Sequence, residues 1–331
     1  MPAAQIDVLG IGNAIVDLIA RVDDAFIERY GLVKGSMNLI DEARAEQINR
    51  DMGPALEISG GSAANTVAGV ASLGGRAAYF GKVKADALGA VFTRDIRAQG
   101  VSFDSTPAMD GPATARSFIL VTPEGERTMN TYLGACVNLT TSDIDRATVE
   151  SAQVTYMEGY LWDRPAAKQA FQLAARMARE CGRLSSITLS DSFCVERHRD
   201  SFLELIRNDI DIVFANESEI KSLYQTQSFD GALAAIRRDC RIGVLTRSAA
   251  GCVVVSGEES QAVPAYPVGK VIDVTGAGDL FAAGFLFGFT KGKNLVQCAR
   301  LGALAAAEVI THLGARPAVN LARHAEANGL L

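Results

Sequence analysis

Strand-like and helix-like runs alternate along almost all of this 331-residue chain, and that alternation limits its fold more than any single motif does. Residues 6–12, 76–83, 153–160, 186–191, 210–219 and 243–251 read as strands, some with a closing turn. Helical stretches lie between them, such as 86–99, 164–181 with Pro165 near its start, and 197–208. Strands joined through helices return to the same end of a sheet and pair in parallel, with right-handed crossovers. An α/β fold with a mostly parallel central sheet is expected.

One stretch breaks the rhythm. Residues 113–121 and 127–133 are two strand-like runs with Thr122-Pro123-Glu124-Gly125-Glu126 turning between them, which makes a hairpin inserted into an alternating chain. With residues 18–40, which hold a short helix stopped by Gly31 and a strand-like run at 36–40, it is expected to form a small β-sheet over one end of the main sheet. The expected division is a large domain of residues 1–17, 41–112 and 134–331, with a lid of residues 18–40 and 113–133. Arg127 on that lid is within reach of a phosphate beneath it, although an exposed arginine on a hairpin more often has no role.

Composition removes several classes of function. With 48% hydrophobic residues the chain has ample material for a full core, yet no run reaches the ~18 apolar residues of a membrane span. The first residues lack the basic region and apolar core of a signal peptide, so a cytoplasmic protein is expected. The six cysteines show no C-x-x-C spacing, which favours reduced thiols over a thiolate metal site. A net charge of −6 argues against nucleic acid as a bulk partner.

The strongest chemical signal is Asp273-Val274-Thr275-Gly276-Ala277-Gly278-Asp279, which opens the apolar run 280–286. Small residues let a ligand approach the main chain, and the amides of Gly276, Ala277 and Gly278 would point unpaired from a helix start. Several donors and a positive dipole end then share one spot, which suits an anion. Asp279 adds a carboxylate there, an odd neighbour for a phosphate unless it does chemistry; the plainer reading is a cap on a glycine turn. A second cluster, Ser59-Gly60-Gly61-Ser62-Ala63-Ala64-Asn65-Thr66, again exposes backbone at a helix entry. Asn65 offers an amide that can both donate and accept towards a diol. Small residues for tight helix packing would account for the alanines there, but not for Asn65.

Near the N-terminus, Gly10-Ile11-Gly12-Asn13-Ala14-Ile15 lacks the third glycine of a dinucleotide fingerprint and runs on as β alternation, so that reading is rejected. Asn13 and Asp17 are polar positions in an apolar strand pair, either ordinary turn residues or hydroxyl-binding groups. Further on, the strand 210–219 ends in polar groups at its carboxyl edge, where open α/β sheets take ligands. Asn216 and Glu219 could position a hydrated Mg²⁺; equally, Glu217 and Glu219 suit the first turn of a helix. Residues Thr246-Arg247-Ser248-Ala249-Ala250-Gly251 form a small-residue turn apt to hold nucleotide phosphates.

In order and spacing, these motifs resemble the ribokinase-like (PfkB) carbohydrate and nucleoside kinases across essentially the whole chain. The C-terminal signature is residues 273–279 followed by Phe281, the glycine signature is residues 59–66, and Asn216-Glu217-Ser218-Glu219 resembles the N-x-x-E motif. The segment from Glu28-Arg29-Tyr30-Gly31-Leu32 to Leu39, with Asn13 and Asp17, resembles the adenosine-kinase branch. The resemblance implies a three-layer sandwich with a β lid, and ATP with Mg²⁺ as cofactors. It implies that Asp17, Gly61 and Asn65 hold ribose hydroxyls, with Asn13 and Gly60 beside them. Asp279 would be the base and the amides of Gly276, Ala277 and Gly278 the anion hole. Arg127 would contact phosphate, and Met37 and Tyr160 would lie near the purine. Asn216, Thr246, Ser248, Gly251, Gly276 and Gly278 would face ATP, with Glu219 on Mg²⁺ through water.

Some positions depart from the family pattern. Met37 stands where animal-type adenosine kinases carry a polar residue, Ser248 where the nucleotide turn has glycine, and Val274 where threonine is usual. Family members often bind K⁺ near the positions of Asp273 and Thr275, but the last matching position is Ala318 here, which leaves that ion open. A nucleoside or sugar is the implied small-molecule partner, and the chain a monomer or homodimer.

Overall fold

Period-two alternation along the strands sets the layers. In a computed structural model of the chain, which describes residues 4–331, Val8 of the first strand points into one hydrophobic cluster while Leu9 and Ile11 point into another. Ile212 and Phe214 face the first cluster, and Val213 and Ala215 the second. Strands buried on both faces need helices on both sides, and the result is a three-layer sandwich.

Among the described residues the main sheet has nine strands. In spatial order they are Val101–Ser102 (β6), Ala77–Phe80 (β5), Ile6–Ile11 (β1), Ala152–Glu158 (β9), Leu184–Thr188 (β10), Ile212–Asn216 (β11), Ile242–Thr246 (β12), Cys252–Ser256 (β13) and Glu259–Val263 (β14). From β6 to β12 all neighbours are parallel; β13 and β14 add an antiparallel edge. Strand β14 was not expected from sequence because its side chains are polar and exposed until Val263, which hides the alternation. A second difference is the helix Ser192–Asp209, which begins five residues before the expected 197; Asp191 caps it, and a kink sits at His198.

A second sheet has five strands, in the order Met37–Leu39 (β3), Arg127–Tyr132 (β8), Ala115–Val121 (β7), Ile15–Arg21 (β2) and Leu56–Gly60 (β4). This corrects the expected division of the chain. Strand β2 starts before residue 18, and β4, assigned above to the large domain, pairs antiparallel with it from Ile15↔Gly60 to Ile19↔Leu56. Five residues entered just after Gly53 and Pro54 are too short to read as a strand until a partner is seen. The back of this sheet (Val16, Leu18, Phe118 and Leu120) joins the core with Phe26, Tyr30 and Ile48. Its front row, Ile19, Ile119, Met129 and Met37, crosses four strands in register.

The helix Ala277–Thr290 is buried through most of its length and packs between Ser62–Ser72 and Leu295–Val309. A Cβ at Gly284 would sit 2.4 Å from the Leu301 carbonyl oxygen, so glycine sets how close these helices come. No helix among the described residues is long and apolar enough to cross a membrane. We expect Gly284→Ala to cost about 1–3 kcal/mol through overpacking, read as a lower urea midpoint at unchanged slope; an unchanged midpoint would show the helix pair can yield.

Candidate active site

The glycine turn before Ser62–Ser72 can be built only from these residues. Gly61 has φ 101°, and a Cβ there would lie 2.0 Å from the Asn13 carbonyl oxygen. A Cβ on Gly60 would overlap the Asp17 carboxylate at 2.5 Å. The turn is therefore pressed against the end of β2, and Ser62 and Asn65 follow on the first turn of the helix. Ser62 Oγ donates to Asp279 Oδ1 at 2.6 Å and Asn65 Nδ2 to Asp279 Oδ2 at 2.9 Å. The two glycine motifs thus meet through Asp279, 217 residues from Ser62 in sequence.

Asp279 sits in the first turn of its helix behind Gly276, a left-handed cap with φ 79°. It lies deep in the molecule with a partly exposed face on a cavity of about 370 Å³, whose wall also holds Gly276, Gly278, Thr246 and Asn216. Burial pushes its carboxyl above the ordinary aspartate range, while Ser62, Asn65 and the Arg316 charge pull it back. The amides of Gly276, Gly278 and Asp279 find no acceptor among the described residues. The Ala277 amide does, turning back to the Val274 carbonyl at 3.2 Å, so it is not among the free donors as expected. Nothing lies within 4 Å of where a Gly278 Cβ would point, which leaves the loop open to a ligand.

A second cavity of about 480 Å³ lies under the front of the small sheet and is lined by Asp17, Asn65, Arg127, Arg316 and apolar lid residues such as Ile19 and Ile119. Asp17 receives no hydrogen bond among the described residues, and burial lifts its pKa to about 6. The Oδ1 atoms of Asn65 and Asn13 are buried without a donor. Unmet acceptors near a carboxylate are what a hydroxyl-bearing ligand would satisfy; of the two, Asn65 lies on the wall of the second cavity with Asp17, and Asn13 on the wall of neither. Ser62 and Asp279 stand on the first cavity, Asn65 on the second, and Thr275 on both.

Several expected residues are engaged in other ways. Arg127 makes a buried ion pair with Asp273 and a 3.3 Å bond to Thr275 Oγ1. Asp273 also accepts from the Thr275 amide and hydroxyl and from the Gly314 amide. Its charge is thereby met by a guanidinium, and the residues as arranged do not fit K⁺. Asn216 and Glu219 form a capping box, with Glu219 accepting from the Asn216 amide at 2.9 Å, while Glu217 pairs with Lys221 and Arg247. Burial raises Glu219 to about 7. Ser248 and Gly251 lie off the walls of both cavities; Gly251 is there because a Cβ would strike the Val263 carbonyl at 2.1 Å. Tyr160 stands on the first cavity, whereas Met37, 48% exposed, stands on the lid edge, so the two are not brought together.

Three residues were missed from sequence. Ser62 was quoted in its motif without a role. Glu158, 1% exposed, accepts from the Asn13 amide and side chain and from the Ala63 amide, and fixes the turn from behind. Its signal was a polar residue at the carboxyl end of a parallel strand. Arg316, in Leu313-Gly314-Ala315-Arg316-Pro317, offered none.

A carboxylate beside free amides at a helix start, on an α/β sandwich, is an arrangement that suits phosphoryl transfer to a hydroxyl group. The chain matches the family model "pfkB family carbohydrate kinase" over residues 16–321, and it belongs to that family. It is therefore an ATP-dependent kinase with a hydroxyl acceptor, acting on a small molecule of the nucleoside or sugar class. A solved structure of adenosine kinase from Sinorhizobium meliloti is 57% identical, covering 98% of this chain and 100% of that one, with a TM-score of 0.90. A probable sugar kinase from Rhizobium etli CFN 42 is 54% identical over 99% of this chain and 100% of that one, with a TM-score of 0.91. The curated adenosine kinase of Saccharomyces cerevisiae is 26% identical, with 92% of this chain and 94% of that protein covered.

Burial lifts Glu158 from an ordinary 4.5 to about 7. Between those values the folded chain holds a proton that the unfolded chain has released, so Glu158 makes stability fall as pH rises through that window. Urea midpoints measured from about pH 5 to pH 8 should decline in the wild type and flatten in Glu158→Gln; equal slopes would refute the assignment.

Proposed function

We propose that this chain transfers the γ-phosphoryl group of ATP to the 5′-hydroxyl of a purine nucleoside, adenosine first among them. The observation that carries the reading is Asp279, held by Ser62 and Asn65 beside the free amides of Gly276 and Gly278. In this arrangement Asp279 orients the acceptor hydroxyl and takes its proton as the new bond forms. Burial makes it a stronger base than a free aspartate. The amides offset charge on the transferred group, and most of the rate comes from alignment.

Asp17 and the unmet Oδ1 atoms of Asn65 and Asn13 suit ribose hydroxyls. The apolar row Ile19, Ile119, Met129 and Met37 beside them suits a flat base. Thr246 and Asn216, on the first cavity, would face ATP. The residues present fit Mg²⁺ only as a water-bound ion held mainly by phosphates, with Glu219 a carboxylate on the same cavity wall, because no cluster of three or more candidate ligands occurs among the described residues. Bound there, the ion would neutralise phosphate charge. Arg127 would reach the phosphates by leaving Asp273.

A second reading, a sugar kinase, is favoured by the name of the Rhizobium etli relative, which is about as similar as the Sinorhizobium meliloti one. Coupled ADP release with Mg-ATP against adenosine, inosine, guanosine, cytidine, ribose and fructose separates the two. Turnover with adenosine supports the first reading, and turnover with free sugars alone replaces it by the second. We expect Asp279→Asn to keep ATP binding and lose at least about two orders of magnitude in kcat; a variant retaining more than about a tenth of the wild-type rate would remove Asp279 from the role of base.

A further inference from the structure

Arg316 has no part in the chemistry described so far, yet its guanidinium is spent almost wholly on one turn. Nη1 donates to the Ala64 carbonyl at 2.8 Å, and Nη2 to the Ser59 carbonyl at 2.7 Å and to Ser59 Oγ at 3.1 Å. Nε also donates to the Ser59 carbonyl, at 3.2 Å. Ser59 and Ala64 bracket the turn whose next residues hold Asp279. From the other side Asp95 accepts from the Ser59 amide and hydroxyl, so the strand end is gripped between an arginine and an aspartate.

We propose that Arg316 is a positioning residue for phosphoryl transfer, clamping the turn that presents Ser62 and Asn65 to Asp279. The inference rests on the reading of Asp279 as base. The carboxylates of Asp17 and Glu158 and the phenols of Tyr156 and Tyr160 act on Asp279 through their charge, and among the described residues Arg316 is the cation that offsets them and favours its ionised form. Arg316 itself faces Asp95, Asp17, Asp279 and Tyr79. Arg127 also acts on Asp17, but its guanidinium is paired with Asp273. Gathering carboxylates on a half-buried wall favours protonating one of them, and a protonated Asp279 can neither orient nor accept.

The clamp and the charge separate by substitution in the full-length chain. Arg316→Gln keeps amide donors but loses the charge; Arg316→Lys keeps the charge but loses the fork. The readout is the Asp279 titration midpoint by ¹³C NMR, assigned against Asp279→Asn, together with the acid limb of kcat. We expect R316Q to raise the midpoint by about one unit or more and move the acid limb with it. R316K should leave the midpoint in place and lower kcat. A midpoint unmoved in R316Q, with only the thermal midpoint lowered, overturns the proposal and leaves a structural clamp. If R316Q does not fold, R316K decides: a midpoint that shifts despite retained charge, or an unchanged kcat, overturns it. The titration needs no turnover, so a wild type inactive on every acceptor would end the proposed function while Arg316 is still tested.

Discussion

Ser62 and Asn65, on one helix start, hand hydrogen bonds to Asp279 on another, and the placement of most of the site follows from that pair of contacts. The helices are neighbours, with Gly69 of one lying against Leu280 and Ala283 of the other. Two positive helix ends and two side-chain donors offset part of the burial that raises the Asp279 carboxyl. Because both oxygens are engaged, Asp279 cannot rotate freely, and a hydroxyl approaching it meets a fixed acceptor. The Gly276–Gly278 loop and the Gly60–Gly61 turn are then related by two hydrogen bonds rather than by a flexible linker.

That arrangement sets function against stability. Asp17, Glu158 and Asp279 are drawn together where water is scarce, and burial raises the pKa of each. Donors rather than cations do most of the compensation: backbone and side-chain amides on Glu158, a hydroxyl and an amide on Asp279. The Asp17 carboxylate has no such partner among the described residues, and burial alone sets its raised pKa against the more distant charges of Arg316 and Arg127.

The sequence was most readable where local rules decide. Buried strands and amphipathic helices appeared from their periods, and glycine pairs flanked by polar residues gave the two turns that meet at Asp279. What it hid depends on partners distant in the chain. Strand β4 is five residues long and becomes a strand only against β2. Arg127 reads as a free arginine until Asp273 is seen beside it, and the capping bonds between Glu219 and Asn216 appear only once the helix they start is seen. Arg316 carries no pattern at all, since its acceptors are carbonyls about 250 residues away. Composition and spacing do not encode where a backbone carbonyl will point.

The small sheet has one face fused to the core, while the other is covered at its middle and bare at its edges. Val16, Leu18, Phe118 and Leu120 are committed to the fold, whereas Met37, Leu39 and Leu56 across the sheet are largely exposed. A change at those three edge positions therefore removes little buried area and costs the fold little. The chemistry sits on the other side of the gap, anchored by helix ends that tolerate little. Such a layout lets the rim of the small sheet vary in size and shape while the helix ends that hold Asp279 stay fixed.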